Sequence, residues 1–81
     1  METTTYYTNN KGSYSEFCEE IQDYLSQSYK ILLNDTIYNG DISHLYNLEA
    51  DAKITLCMSK WTVVIYYNHC QQLITVDYIS V

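Results

Sequence analysis

Two histidines, three cysteines and ten carboxylates are the side chains through which this 81-residue chain could do chemistry. The tightest pairing is His69 beside Cys70, which on residue type suggests a thiolate nucleophile or half of a metal site. Both fall in a predicted turn, where neighbouring side chains diverge. Cys18, Cys57 and His44 are scattered, without the C-x-x-C or clustered His/Cys spacing that a tetrahedral site demands. His44 and Asp35 with a serine compose a Ser/His/Asp set on paper. A hydrolase also needs an oxyanion hole and a pocket, and no stretch signals either. The two glycines, Gly12 and Gly40, read as turn residues, which leaves no Gly-rich phosphate loop. The expectation is a non-catalytic chain with no metal and no cofactor.

Charge removes a further class. Four lysines (Lys11, Lys30, Lys53, Lys60), no arginine and ten carboxylates give a net charge of -6. Neutralising phosphates takes clustered Lys and Arg, so direct nucleic-acid binding is not expected. An acidic chain attracts basic partners instead. A chain of this length is read as a single domain, residues 1–81, near the lower limit for folding without staples. Its 47% of apolar residues and tyrosine supply one core, with no surplus for a deep cavity. The odd cysteine count points to free thiols in a reducing compartment. No secretory leader and no run of about 18 apolar residues is seen. The expected setting is therefore cytoplasmic (the host cytoplasm, if the chain is phage-encoded), with no membrane contact.

The elements that must position these groups are organised around residues 53–81. KITLCMSK, WTVVIYYNH and CQQLITVDYISV are β-branched and aromatic runs with short polar breaks, and they read as a three-stranded antiparallel meander. A turn at Ser59-Lys60 pairs Met58 with Trp61, Leu56 with Val63 and Ile54 with Ile65. A turn around Asn68 to Gln71 then sets Trp61 opposite Tyr78, Val63 opposite Val76 and Ile65 opposite Ile74. Slipping either strand by one residue would mix the faces. Trp61 accordingly reads as core, between Met58 and Tyr78. The opposite face, with Lys53, Thr55, Cys57, Thr62, Val64, Tyr66, Leu73, Thr75 and Asp77, is wettable, as in a sheet open to water on one side.

Upstream, Ser13-Tyr14-Ser15-Glu16 has the form of a capping box. Phe17, Ile21, Tyr24, Leu25 and Ser28 follow at helical spacing to about Lys30, with Tyr14 and Cys18 near the edge of the stripe. Residues 31–38 alternate as a strand, and Asn39-Gly40 is a strong two-residue hairpin signal. That hairpin sets Ile37 against Ile42, Leu33 against Tyr46, Ile31 against Leu48 and Asp35 against His44. A competing reading has Asp41 capping a short helix over residues 42–50; the hairpin is preferred. Residues 3–8 read as a short edge strand or a loose arm. The expected fold class is α+β, with one N-terminal amphipathic helix packed on a four- to five-stranded antiparallel β meander.

Glu16, Glu19, Glu20 and Asp23 fall within about 100° of one another on a helical wheel. No basic residue lies on that predicted helix before Lys30. The plain account is a solvated face that suits the helix dipole; the functional account is a patch that meets a basic surface. Ten tyrosines are too many for a core of this size, because each buried hydroxyl needs a partner. Tyr24, Tyr46, Tyr67 and Tyr78 are expected to pack with hydroxyls at the rim. Tyr6, Tyr7, Tyr14, Tyr29, Tyr38 and Tyr66 are expected to be at least partly exposed. Tyrosine is enriched at interface hot spots, though also in strands generally. The expected partner-binding set is Glu16, Glu19, Glu20, Asp23, Tyr14, Tyr29, Tyr38 and Tyr66.

In class, the chain looks like the small acidic inhibitors that phages deploy against bacterial defence, such as anti-CRISPR proteins and DNA mimics. The likeness rests on size, charge and the lack of catalytic motifs; no motif of any one such family is matched. It implies a target such as a Cas protein or comparable nuclease, whose basic channel carboxylates would cover in place of phosphates. Two rivals come from other classes. One is a self-assembling structural or adaptor module, a homodimer through an edge strand. The other is a small enzyme or metal protein using His44, His69 or Cys70.

Overall fold

The computed structural model describes residues 2–45 and 50–80. Its elements run β1 (Glu2–Tyr7), α1 (Lys11–Gln27), β2 (Lys30–Leu33), β3 (Thr36–Ile37), one 3-10 turn (Ile42–Leu45), β4 (Ala52–Cys57), β5 (Trp61–Asn68) and β6 (Leu73–Ser80). The strands form a six-stranded antiparallel sheet in the order β1-β6-β5-β4-β2-β3. The apolar stripe of α1, Phe17, Ile21 and Leu25, joins Ile54, Leu56, Val63, Ile65, Ile74 and Val76 in one buried cluster. The class is α+β as expected, with six strands rather than four or five and with the helix second in order.

The strand count rises because β1 forms and because the run 31–38 splits into β2 and β3, while residues 42–45 make a 3-10 turn instead of a strand. The six residues of β1 pair with β6 from Glu2 opposite Tyr78 to Tyr7 opposite Leu73, so the N-terminal stretch is an edge strand and not a loose arm. Alternation sends Tyr6 to the helix side, where it is 7% exposed instead of partly open as expected.

The start of α1 differs from the expected capping box. Asn10 is the N-cap, its Oδ1 accepting from Ser13 N–H at 3.0 Å. Ser13 Oγ instead accepts from Tyr7 N–H at 2.9 Å, which ties β1 to the helix. The helix ends at Gln27 because Lys30 already belongs to β2. Removing a cap of this kind costs about 1 kcal/mol, so Asn10→Ala should lower the urea midpoint more than Ser13→Ala. The reverse ranking would return the cap to Ser13.

The meander of β4, β5 and β6 forms, with one change of partners. Ile54 opposes Ile65 and Leu56 opposes Val63 as expected, and Met58 N–H donates to the Trp61 carbonyl at 2.9 Å. Between β5 and β6 the register is displaced by two residues: Ile65 faces Val76, Val63 faces Tyr78 and Trp61 faces Ser80. A shift of two leaves every side chain on its own face, so alternation is blind to it. The loop sets it. Residues 69–72 form a longer connection, with Gln71 N–H on Asn68 Oδ1 at 3.0 Å and Gln72 at φ 52°. The displacement carries Trp61 to the end of the sheet, 51% exposed and outside the core.

The hairpin at Asn39-Gly40 does not form. The chain reverses earlier, at Asn34 and Asp35, whose φ of 51° and 67° are the positive pair that a type I′ turn requires. Leu33 then pairs with Thr36, and the other edge of β2 pairs with β4, Ile31 opposite Leu56. Asp35 does not meet His44; it bonds Lys53 at 3.2 Å. His44 sits exposed in the 3-10 turn, which Asp41 opens by accepting from Ser43 N–H at 2.9 Å. That is the start of the competing short-helix reading. The expected partners Tyr46 and Leu48 lie outside the described residues. An added Cβ at Gly40 would stand 2.7 Å from Tyr38 Oη, so a larger residue there would displace the end of the Tyr38 side chain. No helix among the described residues is long and apolar enough to cross a membrane.

Candidate functional site

Glu16, Glu19 and Asp23 lie exposed on the side of α1 turned away from the sheet. Because the helix starts at Lys11, its first turn carries no acid. The dipole effect fades beyond that turn, so it accounts for little of this face. Among the described residues, the Lys53–Asp35 pair is the one ion pair, and none of the three has a cation of its own.

Glu20 belongs elsewhere. Its Oε1 accepts from Tyr24 Oη at 2.9 Å and from Tyr78 Oη at 2.6 Å, and its Oε2 accepts from Tyr6 Oη. Tyr6 comes from β1, Tyr78 from β6, and Tyr24 from one turn further along α1. The carboxylate is thus a clamp between helix and sheet, set apart from the exposed Glu16, Glu19 and Asp23. Tyr24 and Tyr78 also meet edge to face, with ring centres 5.7 Å apart.

The clamp sets the titration of its members. Burial alone would raise the Glu20 carboxyl, but the three phenolic hydrogen bonds together outweigh it and hold the group below its ordinary value. The phenols move the other way. Burial is the first cause, hydrogen bonding and charge at Glu20 add to it, and Tyr78 is pushed up to about 12. Tyr6 and Tyr24 rise as well. At neutral pH the site therefore holds three neutral phenols around one negative charge.

A groove of about 360 Å³ opens beside the clamp. Glu20 and Tyr24 of α1, Glu2 of β1, Trp61 of β5 and Tyr78 of β6 wall it, with Met58 beneath. It is at the small end of ligand clefts, which run roughly 300–1,000 Å³. Two carboxylates and three aromatic rings face one opening.

No family model, curated protein or solved structure matches this chain.

The four expected tyrosines do not gather around the acidic face. Tyr14 is half-buried and packs on the core, its ring 6.2 Å from Phe17. Tyr29 is exposed just beyond α1, and Tyr38 leans over Gly40 with its hydroxyl donating to the Asp41 carbonyl at 2.6 Å. Both border the β2–β3 edge. Tyr66 lies on the sheet face opposite the helix, across from Lys53 and Thr75. The structure therefore unites Glu16, Glu19 and Asp23 and separates the rest.

Residue-type reasoning missed Glu2, Tyr24, Tyr78 and Trp61 as site residues. The spacing of Glu20 and Tyr24, four apart on one helix, was the available signal for the clamp. His69 and Cys70 are exposed in the β5–β6 loop, and the Tyr67 hydroxyl lies 3.4 Å from His69 Nδ1. No group of three His, Cys, Asp or Glu among the described residues could hold a metal ion.

Proposed function

We propose that this chain is a non-catalytic binding protein that covers the basic nucleic-acid-binding surface of a partner, as a phage-type inhibitor of bacterial defence would. The expected partner is a Cas effector or a comparable nuclease in the host cytoplasm. The observation that carries the reading is the unneutralised row Glu16, Glu19 and Asp23, presented along α1 on a chain of net charge -6. Carboxylates held on one rigid helix can occupy a channel built for phosphates, with fast and salt-sensitive association.

The test is capture of partners from a bacterial lysate on the immobilised chain, followed by a titration of the captured protein. The triple variant Glu16→Lys, Glu19→Lys, Asp23→Lys should weaken that binding by about 100-fold, as expected when several rim charges turn repulsive. Its helix should stay folded, since none of the three side chains is buried. Undiminished binding at physiological salt would reduce the acidic face to solvation.

A second reading has its own observation. Strand β1 pairs with β6 on one side, and its other edge meets no strand among the described residues. A free edge of six residues is a template for a second copy. Sedimentation over a concentration series separates the two readings, because a species still monomeric at micromolar concentration argues against self-assembly.

A further inference from the structure

We infer that the groove walled by Trp61, Tyr24, Tyr78, Glu20 and Glu2 is a receptor for an arginine side chain presented by a basic protein partner. The inference rests on reading the chain as a binder of basic proteins, and it names the point at which such a partner would be anchored.

Three observations carry it. The first is charge without a counter-ion. Glu20 is half-buried, and no cation lies within ion-pairing distance of it among the described residues. A carboxylate has about four acceptor positions; the three phenols fill three, two on Oε1 and one on Oε2. One acceptor position on Oε2 remains. Phenols stabilise the ionised form without neutralising it, so the groove keeps a fixed negative charge.

The second is the aromatic wall. Trp61 is 51% exposed at the end of the sheet, where an indole of this size covers no core of its own. Cations bind over aromatic faces, best over tryptophan, and guanidinium adds planar stacking that ammonium lacks. The third is size. About 360 Å³ admits one long side chain with some water and excludes a folded element. Arginine matches all three, having an apolar stem for Met58, a flat cation for Trp61 and N–H donors for Glu20 and Glu2.

Trp61 is the single tryptophan, so its fluorescence reports the groove directly and without an identified partner. The probes are acetyl-arginine-amide and acetyl-citrulline-amide, the second having nearly the same shape without the charge. Arginine should give a saturable change in Trp61 emission, half-complete on the order of 1 mM, as suits one side chain alone. Citrulline should give none. Glu2→Gln should weaken the arginine response several-fold, and it leaves the phenol clamp intact. Should Glu20→Gln prove poorly folded, Glu2→Gln still decides the matter. No saturation with arginine, or an equal response to citrulline, overturns the inference.

The two readings fail separately. In the triple helix-face variant the Trp61 response should weaken, because Glu16 and Asp23 stand within one helical turn of Glu20, yet it should remain saturable with arginine and absent with citrulline. A silent groove with loss of the partner in that variant leaves the acidic face standing and removes the groove. A responsive groove with the partner retained does the opposite.

Discussion

Replacing Glu20 with alanine should cost about 3 kcal/mol of folding stability, although Glu20 lies on the polar side of an amphipathic helix. Three phenolic hydrogen bonds converge on its carboxylate from β1, β6 and α1. Hydrogen bonds to a charged group contribute roughly 1.5–3 kcal/mol each when sheltered. The site is half-exposed, so their sum is discounted to about 2–4 kcal/mol for solvent competition. Against a total of roughly 5–15 kcal/mol, that is a large fraction. For a domain of this size it lowers the melting temperature by about 10–25 °C. Glu16→Ala, one turn earlier on the exposed face, should fall within about 0.5 kcal/mol of the parent. Equal effects at the two positions would mean that the phenols do not hold the carboxylate in solution.

The pH dependence follows from the same clamp. The folded Glu20 carboxyl lies below its ordinary value, so the folded state favours the ionised form. Its contribution is complete above the ordinary carboxylate range and is lost as pH falls through the folded value. Tyr78 has the opposite sign. Its folded value is about 12 against an ordinary 10.0, so the folded state favours the neutral phenol. That contribution is complete below pH 10.0 and is lost as pH rises toward about 12. Denaturation midpoints across pH should therefore show an acid limb that flattens in Glu20→Gln.

What could be read from residue order was whatever a short period encodes. Ile54, Leu56, Val63 and Ile65 alternate, and they pair as alternation demands. Phe17, Ile21 and Leu25 recur at helical spacing, and they form the buried stripe. The failures share a cause, which is that two local signals were each satisfied and only tertiary context chose between them. Asn39-Gly40 is the stronger hairpin dipeptide, yet Asn34-Asp35 also tolerates positive φ. The choice went to the turn that lets β2 lie against β4. Asn10 and Ser13 can each cap a helix, and β1 claims the Ser13 hydroxyl for Tyr7. The two-residue displacement of β6 leaves every face intact, so alternation alone does not distinguish Trp61 opposite Tyr78, in the core, from Trp61 opposite Ser80, at the end of the sheet. Glu20 differs from Glu16, Glu19 and Asp23 only by its angle on the helix. That angle brings it to three hydroxyls from distant parts of the chain.

The second large effect separates the two faces of the sheet. Val63, Val64 and Ile65 are consecutive on β5 and all three are buried, at 1%, 7% and 2% exposure. Alternation nonetheless sends Val64 to the face away from α1, across from Thr55 and Asp77. It is absent from the buried cluster that holds its two neighbours. Ile65 is enclosed by helix and sheet, so Ile65→Ala should leave a sealed void and cost about 3–4 kcal/mol, within the range for buried Ile→Ala changes. Val64 is shielded only by the side chains around it, and water can fill the gap that Val64→Ala leaves. Its cost should be about 1 kcal/mol, nearer the transfer term for the lost methyl groups alone. Urea denaturation of the two variants at low protein concentration makes the comparison. Equal costs would mean that the outer face is sealed from water as the helix face is. The same pair of variants thus tests the layer order, with α1 covering the Ile65 face of the sheet and not the Val64 face.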